Sequence, residues 1–234
     1  MGRSWIQVYK NEQAAKKGNL YTKLSKEISV ASRLGGADPA GNARLRAAVE
    51  EARALSMPRE NIERAIKKGA GTLEGLSYED IMYEGYGPHG VAIMIEALTD
   101  NRNRTVSELK TLFRDFNGNL GEMGSVAWMF NRVGIIEGTK TPKVSDIESE
   151  AIEVGAQEVE QHENGVVSFT SDPGDLEAVK GALIKRGWNI TLSELGFSAK
   201  NPVSLGEDEK KAVVELLGEL NSHDDVRRVH AAIA

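Results

Sequence analysis

Lys10, Lys16, Lys17, Lys23, Lys26, Arg33, Arg44, Arg46, Arg64, Lys67 and Lys68 crowd into the first seventy residues of this 234-residue chain. The chemistry open to them is neutralisation of phosphate. Residues 1–70 hold 14 Lys and Arg against 7 Asp and Glu, a net +7; residues 71–234 carry −13, so the overall −6 describes neither part. The bland reading of such cations is a solvated helix surface. Lys67 and Lys68 close a helix whose C-terminus favours cations by about 0.3–1 kcal/mol each, and Arg46 stands one turn from Glu50. The positive excess survives these deductions. Trp5, Tyr9 and Tyr21 lie among the charges, where a ring either stacks on a base or packs into a core.

Asn101, Arg102, Asn103 and Arg104 form a second candidate site, between a strand and a helix N-terminus. Two guanidinium groups beside unpaired backbone N–H groups suit a phosphate or a carboxylate. Equally, Asp100, Asn101 and Asn103 build a turn while the arginines pair with local acids. Both readings stand at this point.

Other signals are weaker. Gly85-Tyr86-Gly87-Pro88-His89-Gly90 has the letters of a dinucleotide fingerprint, but its glycines precede a strand instead of following one, so the stretch reads as a structural turn. The four histidines (His89, His162, His223, His230) show no metal-ligand spacing, and cysteine is absent. No serine sits in a nucleophile elbow. The expectation is a protein without enzymatic activity, cofactor or metal. The longest apolar stretches, such as Val91 to Ile95, are far too short to cross a bilayer, and no signal-peptide core follows Met1. A cytoplasmic location follows as an expectation.

The elements that must position these residues are readable from periodicity. Leu20, Leu24, Ile28 and Ala31 share one side of a helix that Gly35-Gly36 stops, with Lys23, Lys26 and Arg33 on nearly the opposite side. Asn42 caps a second helix with the stripe Leu45, Ala48, Val49, Ala52 and Leu55. Ser56 and Pro58 open a third, carrying Ile62, Ala65 and Ile66, and Gly69-Ala70-Gly71 looks like a linker.

Beyond Tyr78 the pattern predicts a strand over 91–99, then a helix opened by the capping box Thr105-Val106-Ser107-Glu108 and carrying Val106, Leu109, Leu112, Phe113 and Phe116. Strands around 126–130 and 134–137 follow. A second capping box, Ser145-Asp146-Ile147-Glu148, opens a helix with Ile147, Ala151 and Val154. Asn164-Gly165 separates two strand-like runs and is the strongest hairpin signal in the chain. A helix from Asp172-Pro173 to Arg186, a strand over 188–195, a helix over 207–220 and a strand over 226–233 complete the reading. These make two α+β units of β-α-β-β type after a helical domain.

Several strings coincide with one family. Arg44-Leu45-Arg46-Ala47-Ala48, the run from Met57 to Gly69, Tyr83-Glu84-Gly85-Tyr86-Gly87-Pro88, the run from Leu98 to Thr105, and Gly118-Asn119-Leu120-Gly121 with Gly124-Ser125-Val126 resemble the YebC family. Its mitochondrial members are known as translational activators of cytochrome oxidase. The resemblance spans essentially the whole chain. It implies an N-terminal three-helix domain followed by two ferredoxin-like-type α+β domains, the third inserted in the second. The corresponding boundaries are 1–75, 76–137 with 198–234, and 138–197.

It also implies a non-enzymatic DNA-binding transcriptional regulator, some members acting instead on the translating ribosome at proline runs. The partner would be duplex DNA or ribosomal RNA; the oligomeric state stays open. Two departures stand out. The opening Gly2-Arg3-Ser4-Trp5 and Ala14-Ala15-Lys16-Lys17-Gly18-Asn19 are less basic than the family pattern, and His89 replaces a glycine.

Overall fold

The computed structural model describes residues 17–71, 78–141, 146–162 and 165–234, with side chains from Leu20 onward. Two compact units divide them. One comprises 17–126 with Gly206–Val229, the other Ala127–Leu205 with His230–Ala234.

The first unit opens with three helices, α1 (Lys17–Gly35), α2 (Ala43–Ala54) and α3 (Arg59–Gly69). Leu24, Ile28, Ala31, Leu45, Ala48, Val49, Ala52, Ile62 and Ala65 make one core with Met57. Asn42 joins the first two helices: its amide nitrogen donates to the carbonyls of Ala31 and Gly36, and its oxygen accepts from the Leu45 N–H. That one side chain satisfies orphan groups at both helix ends. Leu55, expected in the stripe, follows the last helical turn and is 38% exposed.

The close approach of α1 and α3 rests on small residues. The Ser29 and Ser32 hydroxyls donate to the carbonyls of Ala65 and Ile66. Gly69 packs against the Ser29 carbonyl so tightly that a β-carbon would overlap it.

Four strands follow: β1 (Glu79–Tyr86), β2 (Ala92–Thr99), β3 (Asn119–Leu120) and, far downstream, β8 (Val226–Ala231), in the order β3-β1-β2-β8. The periodicity gives no sign of β1. Gly85 and Tyr86 belong to this strand, antiparallel to β2, and the fingerprint-like letters form the hairpin turn. His89 sits there at φ 59° and Gly90 at φ 74°, a left-handed pair that explains why glycine is the easier residue at both positions. The unit therefore begins with two strands before its helix, not with β-α-β-β.

Helix α4 (Arg102–Asp115) starts three residues earlier than the expected capping box. Asn101 is its cap, accepting from the Arg104 N–H, while Thr105 is fully buried and its hydroxyl turns to other partners.

In the second unit the two strands expected over 126–137 are one, β4 (Phe130–Thr139), preceded by a single 3₁₀ turn at Ala127–Met129. Then come α5 (Ile147–Val154), β5 (Glu158–Gln161), β6 (Val167–Ser171), α6 (Leu176–Lys185) and β7 (Asn189–Ala199). The sheet order β5-β6-β4-β7 with antiparallel pairing is the ferredoxin-like arrangement. Asp146 caps α5; Ser145, expected there, lies outside the described residues. Ile136, Ala151, Val154, Phe169, Val179, Leu183 and Trp188 form the core between helices and sheet.

Helix α7 (Glu207–Ser222) returns the chain to the first unit and leads into β8. Among the described residues the fold is thus α+β, with a helical N-terminal part and two antiparallel sheets. No helix among them is long and apolar enough to cross a membrane.

Candidate nucleic-acid interface

The expected phosphate-binding residues divide into those the fold consumes and those it displays. Lys23 lies on the side of α1 opposite its apolar stripe, and its ammonium donates to the Asn221 carbonyl at 2.6 Å. Burial draws that ammonium down to about 8, against the pull of Asp224. Lys26, one turn on, forms a 2.6 Å ion pair with Asp225, whose side chain is 2% exposed. Both lysines therefore fasten α1 to the corner between α7 and β8. The helical wheel placed them correctly but could not show that their face is covered.

Asp225 is the centre of that corner. It accepts from Lys26, Arg104, Thr99 and Thr105, joining α1, the end of β2 and the start of α4. Burial alone would raise its carboxyl; the hydrogen bonds from Lys26, Arg104 and Thr105 overcome this and hold it well below the usual range. Nothing in the local sequence Asp224-Asp225 marks this residue. Its partners lie up to 199 positions away, and only the fold brings them together.

A second polar seam runs beside it. Glu27 accepts from Arg44 at 2.8 Å and from Arg227 at 3.1 Å, and Arg227 also reaches Glu96 at 2.5 Å. Arg44 adds a looser contact to Asp80. Arg44 is thus another expected phosphate ligand with carboxylate partners inside the chain. Lys68 donates to the Tyr78 hydroxyl at 3.1 Å and lies over its ring.

Arg33, Arg46, Arg64 and Lys67 are exposed. Arg46 touches the Pro39 and Ala40 carbonyls, not Glu50, so its charge is not neutralised there. Arg33 and Lys67 each follow a residue of the Ser32–Ile66 hydrogen bond, which brings the backbones of α1 and α3 together at that point. Lys10, Lys16 and the side chain of Lys17 lie outside the described residues, as do Trp5 and Tyr9. Tyr21 is no stacking platform: its hydroxyl donates to the carbonyls of Leu55 and Ser56, and its ring packs on the helical core.

The Asn101–Arg104 segment is the cap and first turn of α4. Arg104 pairs with Asp100 at 2.9 Å and Asp225 at 3.0 Å, so the turn-building reading accounts for it and for Asn101. Arg102 and Asn103 are exposed.

A cavity of about 580 Å³ opens beside this turn, lined by Thr22, Lys26, Asp100, Arg104, Glu108, Ser222, His223, Asp224 and Asp225. Glu108, His223 and Asp225 approach one another closely enough to suggest a metal. Their donor atoms are already engaged. His223 Nδ1 accepts the Asp225 N–H, leaving Nε2 to donate to Glu108, and Asp225 already carries two cationic partners. A divalent ion would meet Lys26 and Arg104 at the same carboxylate. The trio is an ion-paired corner.

Comparison with known proteins covers both parts. The family model described as TACO1/YebC protein N-terminal domain matches residues 2–72, and that described as TACO1/YebC second and third domain matches 78–233. A probable transcriptional regulatory protein of Bdellovibrio bacteriovorus is 50% identical over 234 residues, covering 100% of both chains. One from Pseudomonas fluorescens is 47% identical, again over 100% of both. A crystal structure of a conserved hypothetical protein from Aquifex aeolicus aligns with a TM-score of 0.83 at 45% identity, covering 94% of this chain and 91% of that one.

Proposed function

The chain belongs to the TACO1/YebC family, and from that premise we propose that it is a non-enzymatic, nucleic-acid-binding regulator of gene expression. The observation that carries the reading is the exposed cationic set Arg33, Arg46, Arg64 and Lys67 on a helical module whose residues 17–71 hold 11 Lys and Arg against 6 Asp and Glu. Its relatives are named probable transcriptional regulatory proteins, which supports the regulatory role; binding to DNA is our extension of it. Lys10, Lys16 and Lys17 belong to the proposed contact by charge and position in the chain. Lys23, Lys26 and Arg44 hold the module in place. The three-domain division and a cytoplasmic location are part of the same reading.

The test is sedimentation of gently lysed cells, with and without nuclease and at low and high salt, alongside retention on duplex DNA. Salt-sensitive retention on duplex with no ribosomal co-migration supports the transcriptional reading. Co-migration with ribosomal particles that high salt abolishes assigns the protein to translation and makes DNA binding incidental.

A further inference from the structure

The second unit treats its two described tryptophans in opposite ways. Trp188 is 4% exposed, and its indole N–H donates to Glu150 at 2.8 Å. Trp128, in the 3₁₀ turn before β4, is 64% exposed. Presenting an indole to water forgoes the burial that makes aromatic rings valuable in a core. The turn that carries it is held in place: the Lys200 backbone N–H donates to the Met129 carbonyl at 2.9 Å, and the Lys200 ammonium donates to the Trp128 carbonyl at 2.7 Å.

The cations nearest this turn in the chain run against the charge of the unit. Residues 127–205 contain 7 Lys and Arg against 12 Asp and Glu. Lys140, Lys180 and Arg186 are ion-paired there. Lys185, Lys200 and Arg132, all exposed, pair with no carboxylate among the described residues, and of the three Lys200 and Arg132 belong to the β4–β7 end of the chain next to the turn. Arg132 is four residues from Trp128 and stands opposite Phe197 in the β4–β7 register. An exposed aromatic whose own carbonyl holds one such ammonium, with a second such cation four residues on, in an otherwise acidic unit, is the chemistry that receives a base on the ring and phosphates on the cations.

We infer that Trp128, with Lys200 and Arg132, is a stacking platform for an unpaired nucleobase and its flanking phosphates. It is a contact separate from the basic helical module. The inference rests on the nucleic-acid reading above and deepens it: a duplex hides its base faces, so this surface selects single strands. RNA and single-stranded DNA share the required chemistry.

The experiment measures binding of the full chain to a labelled oligouridylate of about ten nucleotides, the matching oligothymidylate and a duplex, by fluorescence anisotropy. Trp128→Ala should weaken the oligouridylate about tenfold, with Trp128→Tyr restoring most of it and duplex affinity unchanged. Arg132→Gln with Lys200→Gln should flatten the single-strand salt dependence by roughly 0.7 in log–log slope for each phosphate no longer neutralised. An equal loss on oligothymidylate assigns the platform to unpaired bases of either sugar. A loss confined to oligouridylate assigns it to RNA; both results support the inference.

If wild type binds and Trp128→Ala binds equally well, the platform falls while the nucleic-acid reading stands. If wild type binds neither single strands nor duplex, both fall. A loss of the same size on duplex overturns stacking. Trp128-dependent competition by polyglutamate at matched charge overturns the assignment in favour of an acidic peptide.

Discussion

Lys26 and Asp225 are 199 positions apart in the chain and 2.6 Å apart in the fold. The pair joins the basic helix α1 to the acidic corner that closes the same unit, and Arg104 shares the carboxylate from the other side. An ion pair this well covered stabilises little beyond a hydrophobic equivalent, yet removing one partner leaves the other charges stranded. Asp225→Ala should therefore cost about 3–5 kcal/mol, read as a lower urea midpoint at constant slope. An unchanged midpoint would show that the corner is not a structural clasp.

Gly69 tests the α1–α3 seam. The Ser29 carbonyl occupies the space a β-carbon needs, and both sides of the contact are backbone or helix-borne, so neither gives way easily. Gly69→Ala gains helix propensity but forces the two helices apart, with an expected net loss of about 1–3 kcal/mol. A melting temperature at or above wild type would contradict the packing described.

Lys23 makes stability depend on alkaline pH. Its ammonium is drawn down to about 8 in the folded protein, chiefly by burial, from an ordinary 10.5 in the unfolded chain. Between those values the unfolded state binds more protons, so stability rises with pH there; below about 8 both states are protonated and this contribution is flat. The difference in unfolding free energy between wild type and Lys23→Gln, followed from pH 7 to 11, should show that rise. A flat difference would mean the ammonium keeps its ordinary affinity for protons.

Glu150 does the reverse in the second unit. It accepts from Arg186, Lys140 and Trp188, and the Arg186 hydrogen bonds, outweighing burial, bring its carboxyl down to about 2 from 4.5. Its contribution is complete above about 4.5 and disappears as pH falls toward 2. Glu150→Gln should destabilise the protein by about 3–5 kcal/mol at neutral pH and remove that acid limb. Denaturation midpoints between pH 2 and 7 check both effects together.

Helices with an apolar stripe are legible because a 3.6-residue period is local: α1, α2, α3 and α7 follow it closely. β1 escapes the same reading because Glu79, Asp80 and Glu84 interrupt its run, and Glu84 is buried by capturing the Gly124 and Val126 N–H groups, a contact some forty residues away. The start of α4 is misplaced from sequence because Thr105 looks like a cap while its hydroxyl serves Asp225. The site is half legible for the same reason. Charge places the basic residues on helix faces, but whether a face meets water or another element is decided by tertiary contacts that periodicity does not contain.

That distinction yields the sharpest prediction for function. Arg64 and Lys67 are exposed, whereas the Lys26 side chain is 12% exposed in its pair with Asp225, so neutralising them should have opposite consequences. Arg64→Gln with Lys67→Gln should leave the melting temperature near wild type and reduce the salt dependence of duplex binding by roughly 0.9 in log–log slope for each phosphate no longer neutralised. Lys26→Gln should lower stability and leave the slope unchanged, because a lysine already paired with a carboxylate releases no counterion from the nucleic acid. A slope that falls with Lys26→Gln as much as with the double variant would mean that the lysine leaves Asp225 for phosphate, and that α1 exchanges its own acidic corner for the polyanion.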